Sequence, residues 1–170
     1  VEGRTARVAG KGGVFPRLQG RKEIFMGNSG TGFRLLLPFF ALAGGEFLVT
    51  GVSRMQERPV GALVKALRRI GVRASFPERP GYPPVLIQGN GLRGGAVVIP
   101  GDESSQFLSS LLLAGPYADA DLEIRVGEGL VSTAYVDLTL EVMEAFGVSV
   151  RREGYRRFVV PSGWGYRSCG

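Results

Sequence analysis

The chain has 170 residues, of which 44% are apolar and 21% are charged, which is enough for one domain with a sizeable core. Its net charge is +6, but the basic residues are scattered and do not form a stripe with interleaved aromatic residues, which argues against nucleic-acid binding. With no histidine and a single cysteine, Cys169, the sequence lacks the common zinc-ligand sets, and we expect neither a metal nor a cofactor.

The spacing of apolar residues predicts the same order of elements twice. Near the N-terminus, RTARVAG and EIFMG are typical of strands, and we interpret them as the tail of an earlier copy. The first complete copy then has a helix from Thr31 to Ala43, the strand EFLVTG, the helix PVGALVKALRRIG, and the strands VRASFPE and PPVLIQG. The second copy has the helix SSQFLSSLLLAGPYA, the strand DLEIRVGE, the helix AYVDLTLEVMEAFG, and the strands VSVRRE and RRFVVPS.

Equivalent residues in the two copies support the repeat. Phe33 and Phe107, for example, occupy the same place in the first helix of each copy and are 74 residues apart. The sequence therefore predicts a single α/β (α+β) domain over residues 1–170, with internal repeats at about 27–95 and 101–161.

Two features argue against membrane insertion and secretion. The apolar run over residues 35–43 contains Pro38 and ends at a pair of glycines, so it suits a core helix rather than a membrane span. The first residues, starting at Val1, lack the charged-then-apolar layout of a signal peptide. We therefore expect a cytoplasmic piece of a longer polypeptide that binds no membrane.

Each copy has a glycine-led polar loop before its first helix, GNSGT in one and GDESSQ in the other. The free backbone N–H groups in the first turn of a helix carry a partial positive charge and bind oxyanions. Serine, threonine and asparagine are also ordinary N-caps, so one such loop alone favours capping. Two loops at equivalent places favour a shared binding cleft. The candidate anion-binding residues are Asn28, Ser29, Thr31, Ser104 and Ser105.

The segment RMQERP, which follows the strand EFLVTG, has two interpretations. Arg54, Glu57 and Arg58 can form a surface ion-pair cluster that contributes little to stability. Alternatively, an arginine beside a glycine-rich anion loop can bind a carboxylate or phosphate through two parallel hydrogen bonds. Residue chemistry alone therefore predicts an α/β repeat protein that binds a small anion, without naming a reaction.

Longer motifs make the sequence similar to a known family. GNSGTGFRLL, TGVSRMQERPVGALVKALR, YPPVLIQG, SSQFLSSLLLA and LVSTAYVDLTLEVMEAFGV resemble, in order and spacing, the N-terminal half of 5-enolpyruvylshikimate-3-phosphate synthases. The resemblance implies a fold of two domains, each an inverse α/β barrel of three βαβαββ units. This chain would supply about two whole units and the end of a third.

The same resemblance implies an activity. The family is an enolpyruvyl (carboxyvinyl) transferase of the shikimate pathway, which leads through chorismate to the aromatic amino acids. It transfers the enolpyruvyl group of phosphoenolpyruvate to shikimate 3-phosphate and releases phosphate. The herbicide glyphosate competes for the phosphoenolpyruvate position.

The resemblance further assigns substrate-binding residues, and it places Gln106 at both substrates. A side chain at Gly30 would crowd phosphoenolpyruvate or glyphosate, and Tyr135 would pack against the shikimate ring. The residues expected at phosphoenolpyruvate and glyphosate are Asn28, Gly30, Thr31, Arg54 and Gln106. Those expected at shikimate 3-phosphate are Ser104, Ser105, Gln106, Ser132 and Tyr135.

One departure from the family motif bears on this site. The family usually has proline after the arginine of GNAGTAMRP, whereas Leu35 follows Arg34 here. That proline supports the helix carrying the glycine, so the shape of the phosphoenolpyruvate pocket and its response to glyphosate depend on this substitution.

The family's acid–base carboxylates and a second set of cationic ligands belong to its other domain, and this sequence offers no convincing substitutes. We therefore expect no catalytic residue in this half. The partner would be the C-terminal half of the enzyme, in cis or as a separate chain. Two alternatives stay open. One is a non-catalytic anion-binding or assembly module on the same fold. The other is an enolpyruvyl transferase acting on UDP-N-acetylglucosamine, although the motifs SSQF and RMQERP argue against it.

Overall fold

The computed structural model describes residues 3, 5, 7, 9–10, 12–15 and 17–168. Part of the predicted strand RTARVAG, and Cys169, lie outside these residues. The first half contains β1 (Arg17–Phe25), α1 (Gly30–Leu42), β2 (Gly44–Thr50), α2 (Ser53–Gln56), α3 (Gly61–Arg69), β3 (Arg73–Ser75) and β4 (Val85–Gly89). The second half contains β5 (Gly95–Ile99), α4 (Ser105–Ala114), a 3-10 turn (Gly115–Tyr117), β6 (Leu122–Val126), α5 (Thr133–Ala145), β7 (Arg151–Glu153) and β8 (Arg157–Val160).

The strands form two four-stranded sheets of identical topology. The first has the order β1-β2-β4-β3 and the second the order β5-β6-β8-β7. In each sheet the first two strands are parallel and the remaining pairs are antiparallel. The described residues therefore contain two βαβαββ units, over residues 17–89 and 95–160.

Each unit begins one strand earlier than the sequence indicated. The interpretation of EIFMG as the tail of an earlier copy is wrong, because Glu23 pairs with Leu48 and Ile24 with Val49 in the parallel ladder between β1 and β2. The equivalent strand of the second unit, β5, was not predicted at all. Both strands are short of buried apolar residues: β1 is almost entirely exposed, and β5 buries only Val97 and Ile99.

Among the described residues of RTARVAG, Thr5 makes only an isolated β-bridge and no strand forms. The remaining predicted helices and strands are confirmed to within a few residues. The helix predicted from Thr31 is α1, which is capped by Ser29: the serine hydroxyl accepts a hydrogen bond from the N–H of Gly32 at 3.2 Å. Gly71 and Gly147 follow the last turns of α3 and α5 with φ of +93° and +84°, a left-handed conformation that favours glycine. The shared stop signal makes α3 and α5 equivalent elements.

The helices and the inner faces of the sheets form one core. Helix α1 packs on α4, α4 packs on α5, and α3 packs against β5 of the following unit. Phe33 of α1 and Phe107 of α4 are almost completely buried. Because α1 and α4 lie side by side with their first turns in contact, the polar loops that precede them meet at the same end of the core.

No helix in the part of the chain that the structure describes is long and apolar enough to span a membrane. The longest helices, α1 and α5, have 13 residues each, which is short of the roughly 20 that a span needs.

We expect the stabilising effect of Glu123 on the second sheet to disappear in acid. Arg157 and Arg125 donate hydrogen bonds to its carboxylate at 2.8 and 2.7 Å and lower its pKa from 4.5 to about 2. A carboxyl whose pKa is lower in the folded than in the unfolded chain stabilises the fold above the unfolded pKa, and this effect is lost as the pH falls through the folded value. The stability difference between the parent chain and Glu123→Gln should therefore shrink from pH 4.5 to pH 2.

Urea unfolding at a series of pH values measures this difference. Glu128→Gln is the matched control, because Glu128 forms no ion pair among the described residues. If the difference in unfolding free energy between the parent chain and Glu123→Gln stays constant from pH 7 to pH 2, the carboxyl of Glu123 does not have a lowered pKa in the folded chain.

Candidate functional site

The starts of three helices line one cleft of about 520 Å³. Helix α1 contributes Thr31 and Arg34, α4 and the residues before it contribute 103–106, and α5 contributes Ser132 and Tyr135. The cleft therefore brings together all the residues predicted at shikimate 3-phosphate and two of those predicted at phosphoenolpyruvate, Thr31 and Gln106.

Backbone hydrogen bonds fix the loops around this cleft in the same way in both units. The N–H of Val52 donates to the carbonyl of Gly27 at 3.0 Å, and the N–H of Val131 donates to the carbonyl of Gly101 at 3.1 Å. A Cβ at Gly101 would lie 2.5 Å from the carbonyl oxygen of Gly127, so only glycine permits this approach. The loop that carries Ser132 is thereby held beside the loop that carries the start of α4.

Ser104 is the N-cap of α4, as the capping interpretation predicted. Its hydroxyl oxygen accepts a hydrogen bond from the N–H of Gln106 at 3.3 Å. Capping uses an acceptor lone pair and leaves the hydroxyl hydrogen available to a ligand. Ser105, the first residue of α4, is only 6% exposed. Capping and anion binding are therefore compatible at this helix start.

Ser132 has an unusual backbone conformation. Its φ of +59° and ψ of +54° lie in the left-handed region, which costs a non-glycine residue about 1 kcal/mol. Although it is the N-cap of α5, its side chain makes no capping hydrogen bond. Tyr135, one turn further on, is 66% exposed. Backbone strain of this kind is concentrated at ligand sites, which agrees with the prediction for Ser132. Ligand binding by Ser132 and Tyr135 stays a prediction.

Gln106 links the first turns of α1 and α4. Its side-chain Nε2 donates to Oγ1 of Thr31 at 2.8 Å, and its Oε1 accepts from Nη1 of Arg34 at 2.9 Å. Two residues predicted at phosphoenolpyruvate, Thr31 and Gln106, are therefore in direct contact.

Arg34 is held at the base of the same cleft. Its guanidinium carbon lies 5.4 Å from the centre of the Phe107 ring, and its Nε is buried with no hydrogen-bond partner among the described residues. Burial lowers the pKa of Arg34, the positive charge of Arg58 lowers it further, and Glu103 opposes both effects. Arg58 and Glu103 therefore lie near enough to Arg34 to act on its charge.

Gly30 is the first residue of α1 and is buried. The resemblance predicted that a side chain here would crowd the ligand. In the structure the group that a Cβ at Gly30 would meet is Nη1 of Arg58, whose Cζ and Cδ would lie at 3.5 and 3.6 Å. Arg58, which the resemblance did not place in the site, therefore covers Gly30 directly.

Asn28 and Arg54 do not line the cleft. Asn28 lies in the exposed turn before α1. The side chain of Arg54 is 73% exposed and its Nη1 lies 2.6 Å from Oε2 of Glu57. The surface ion-pair interpretation of RMQERP therefore describes Arg54 and Glu57, and contacts of Asn28 or Arg54 with a ligand stay predictions.

The sequence analysis assigned no role to Arg34. For Arg58 it offered only a surface ion-pair cluster or general binding of an anion. A signal for Arg34 was present, because it is the only charged residue in the otherwise apolar or small α1. No comparable signal marks Arg58, because its proximity to Gly30 depends on how α2 and the following turn fold back over the start of α1.

Within the residues that the structure describes, no group of three or more histidine, cysteine, aspartate or glutamate side chains is placed to hold a metal ion. The polar groups of the cleft are instead hydroxyls, an amide, an arginine, one carboxylate and backbone N–H groups at helix starts.

Two βαβαββ units, with three helix starts lining one cleft, define an α/β repeat protein. The chain belongs to the EPSP synthase (3-phosphoshikimate 1-carboxyvinyltransferase) family, whose family model matches residues 1–164.

Individual relatives agree with this assignment. The chain is 45% identical to the 3-phosphoshikimate 1-carboxyvinyltransferase of Sulfurovum sp. (strain NBC37-1) over 161 residues, which is 95% of this chain and 38% of the relative. It is also 45% identical to the enzyme of the same name from Photobacterium profundum, with 98% of this chain and 39% of the relative covered. The chain therefore spans about two fifths of the length of the curated relatives it matches.

A solved structure confirms the fold class. The EPSP synthase from Acinetobacter baumannii matches with a TM-score of 0.72 at 29% identity, over 85% of this chain and 31% of that one. The mixed α/β architecture expected from the sequence is therefore confirmed.

Proposed function

We propose that this chain supplies the shikimate 3-phosphate site and part of the phosphoenolpyruvate and glyphosate site of an enolpyruvyl transferase. The proposed reaction transfers the enolpyruvyl group of phosphoenolpyruvate to shikimate 3-phosphate and releases phosphate, in the cytoplasm. The observation that carries the proposal is the single cleft that gathers Ser104, Ser105, Gln106, Ser132 and Tyr135.

The phosphate of shikimate 3-phosphate would bind between α4 and α5. Ser104, Ser105 and Ser132 all line the cleft beside the first turn of α4, where the helix dipole favours a negative charge. Hydroxyls and backbone N–H groups bind phosphate without a buried positive charge of their own. The exposed ring of Tyr135 lies at the cleft wall and offers a flat apolar surface to the carbocyclic ring of shikimate.

Phosphoenolpyruvate would bind at the adjacent start of α1. Thr31 and Gln106 supply polar contacts there, and Arg58, whose guanidinium covers Gly30, supplies positive charge for a ligand with a phosphate and a carboxylate. Because Gln106 lies between the two helix starts, it would contact both substrates. Asn28, Gly30 and Arg54 are proposed at this end on the family resemblance.

The chain would act with a partner that supplies acid–base chemistry, and we propose the C-terminal half of the enzyme, in cis or as a separate chain. The matched relatives are more than twice as long as this chain. In addition, α5 exposes an apolar stripe of residues four apart, in which Leu138 is 54%, Val142 43% and Phe146 38% exposed. Such a stripe is typical of a surface that packs against further protein.

Titration of the ¹⁵N-labelled chain with shikimate 3-phosphate, and then with phosphoenolpyruvate, tests the proposal. A half-site should bind on the order of millimolar, with amide shifts centred on the starts of α4 and α5 and then on the start of α1. Ser105→Ala should weaken the first step, whereas Ser75→Ala, on the distant strand β3, should leave it unchanged. A folded chain that shows no shifts with either ligand would overturn the proposed site.

The alternative, a non-catalytic anion-binding or assembly module, is tested by adding the C-terminal part of a matched relative. The proposed function expects phosphate release that requires both substrates. A folded complex that binds shikimate 3-phosphate but releases no phosphate would favour the module instead.

A further inference from the structure

We propose that Arg34 is the positioning residue of this cleft: it fixes the orientation of the Gln106 side-chain amide, so that Gln106 and Thr31 both present hydrogen-bond donors to an anionic ligand. The proposal deepens the function proposed above and rests on it for the identity of the ligand.

The orientation of a side-chain amide is set by a partner that can only donate, or only accept, hydrogen bonds. A guanidinium has only donors, so Arg34 can face the oxygen of Gln106 and not its NH₂ group. Thr31 has a hydroxyl that donates or accepts, so it tolerates either end of the amide. Arg34 is therefore the partner that decides, and Nε2 of Gln106 is directed to Thr31.

The consequence is a directed chain of hydrogen bonds. Because the Thr31 oxygen accepts from Gln106, its hydroxyl hydrogen remains free to donate, and Gln106 keeps a second amide hydrogen. Both residues line the cleft. The opposite orientation would turn the Gln106 oxygen towards Thr31 and require the Thr31 hydroxyl to donate to it, which would leave lone pairs facing the ligand and repel an anion.

Arg34 is itself well fixed for this role. Its guanidinium lies over the Phe107 ring, its Nη2 is 3.5 Å from the carbonyl of Pro59, and both Arg34 and Thr31 project from α1. Gln106 and Phe107 are consecutive residues of α4, and Arg34 contacts both the amide of the first and the ring of the second. The charged groups facing Arg34 are Arg58 and Glu103.

The first test needs no ligand. In the ¹⁵N spectrum of the full chain, the side-chain NH₂ resonances of Gln106 should move in Arg34→Met and stay in place in Arg68→Met. Arg68 is a matched control, because it also lies over an aromatic ring, that of Phe76, and donates to a backbone carbonyl, that of Ala74, away from the cleft. Unmoved Gln106 resonances in a folded Arg34→Met chain would overturn the proposal.

The second test separates positioning from direct contact. Arg34→Met should weaken binding of shikimate 3-phosphate plus phosphoenolpyruvate about tenfold in the parent chain, but less than about twofold in a Gln106→Ala chain, because Arg34 acts through Gln106. Arg34→Lys should weaken binding less than Arg34→Met does, because lysine also donates hydrogen bonds. Equal losses in both backgrounds would overturn the positioning role. A parent chain that binds neither ligand would refute the proposed function, while the ligand-free test of Arg34 would still decide the proposal.

Discussion

Gly89→Ala should lower the free energy of unfolding by about 3 kcal/mol, at the upper end of what overpacking costs. A Cβ at Gly89 would overlap the carbonyl oxygen of Ala43 and lie 2.8 Å from the carbonyl oxygen of Phe40. Both groups are backbone at the end of α1, so no side chain can move aside. The new methyl group must push β4 away from the corner between α1 and β2, and urea denaturation measures the cost.

Hydrogen bonds immediately beyond Gly89 make this corner rigid. The N–H groups of Asn90 and Gly91 both donate to the carbonyl of Ala41, at 3.0 and 2.9 Å, so β4 cannot shift without breaking them. Gly165→Ala is the matched control, because a Cβ there would meet nothing within 4 Å. It should change the unfolding free energy by no more than about 0.5 kcal/mol. Equal stability of the two variants would mean that β4 and α1 are not packed as described.

The sequence predicted the buried helices better than the exposed strands, for a physical reason. Helices α1, α3, α4 and α5 each bury an apolar face in the core, and that burial imposes a helical period on the residues. Strand β1 is held mainly by backbone pairing with β2 and exposes nearly all of its side chains. Its side chains are therefore free to vary, and the sequence does not reveal where the repeated unit begins.

The same distinction applies to the cleft. Ser104, Ser132 and Thr31 lie at or beside helix starts, and the repeat makes helix starts equivalent, so their convergence follows from the order of the elements. Arg58 is different. It follows α1, β2 and α2 in the sequence, and its long side chain returns to the start of α1 to contact Gly30. The path of a long side chain is set by packing that no local pattern encodes. Motif resemblance therefore named residues at the helix starts that line the cleft, and it did not name the arginine that covers Gly30.

Gly30→Ala should weaken phosphoenolpyruvate binding about tenfold, as expected from loss of a charge-assisted hydrogen bond, while leaving the fold intact. The group that a Cβ at Gly30 displaces is the tip of the Arg58 side chain, because Cζ and Cδ of Arg58 would remain at ordinary contact distances. A flexible side chain can move aside, so the backbone of α1 keeps its position. The unfolding free energy should change by less than about 0.5 kcal/mol, because alanine is also the better helix former.

A double-mutant cycle with Arg58→Ala shows whether the effect passes through this arginine. Binding is read from the Thr31 amide shift at a fixed phosphoenolpyruvate concentration with shikimate 3-phosphate present, and stability from urea unfolding. If Gly30 matters because it leaves room for Arg58, then Gly30→Ala costs no further binding once Arg58 is gone. If the methyl group instead occupies ligand space, the same loss persists in both backgrounds. The structure favours the first result, because the atom nearest to the missing Cβ belongs to Arg58.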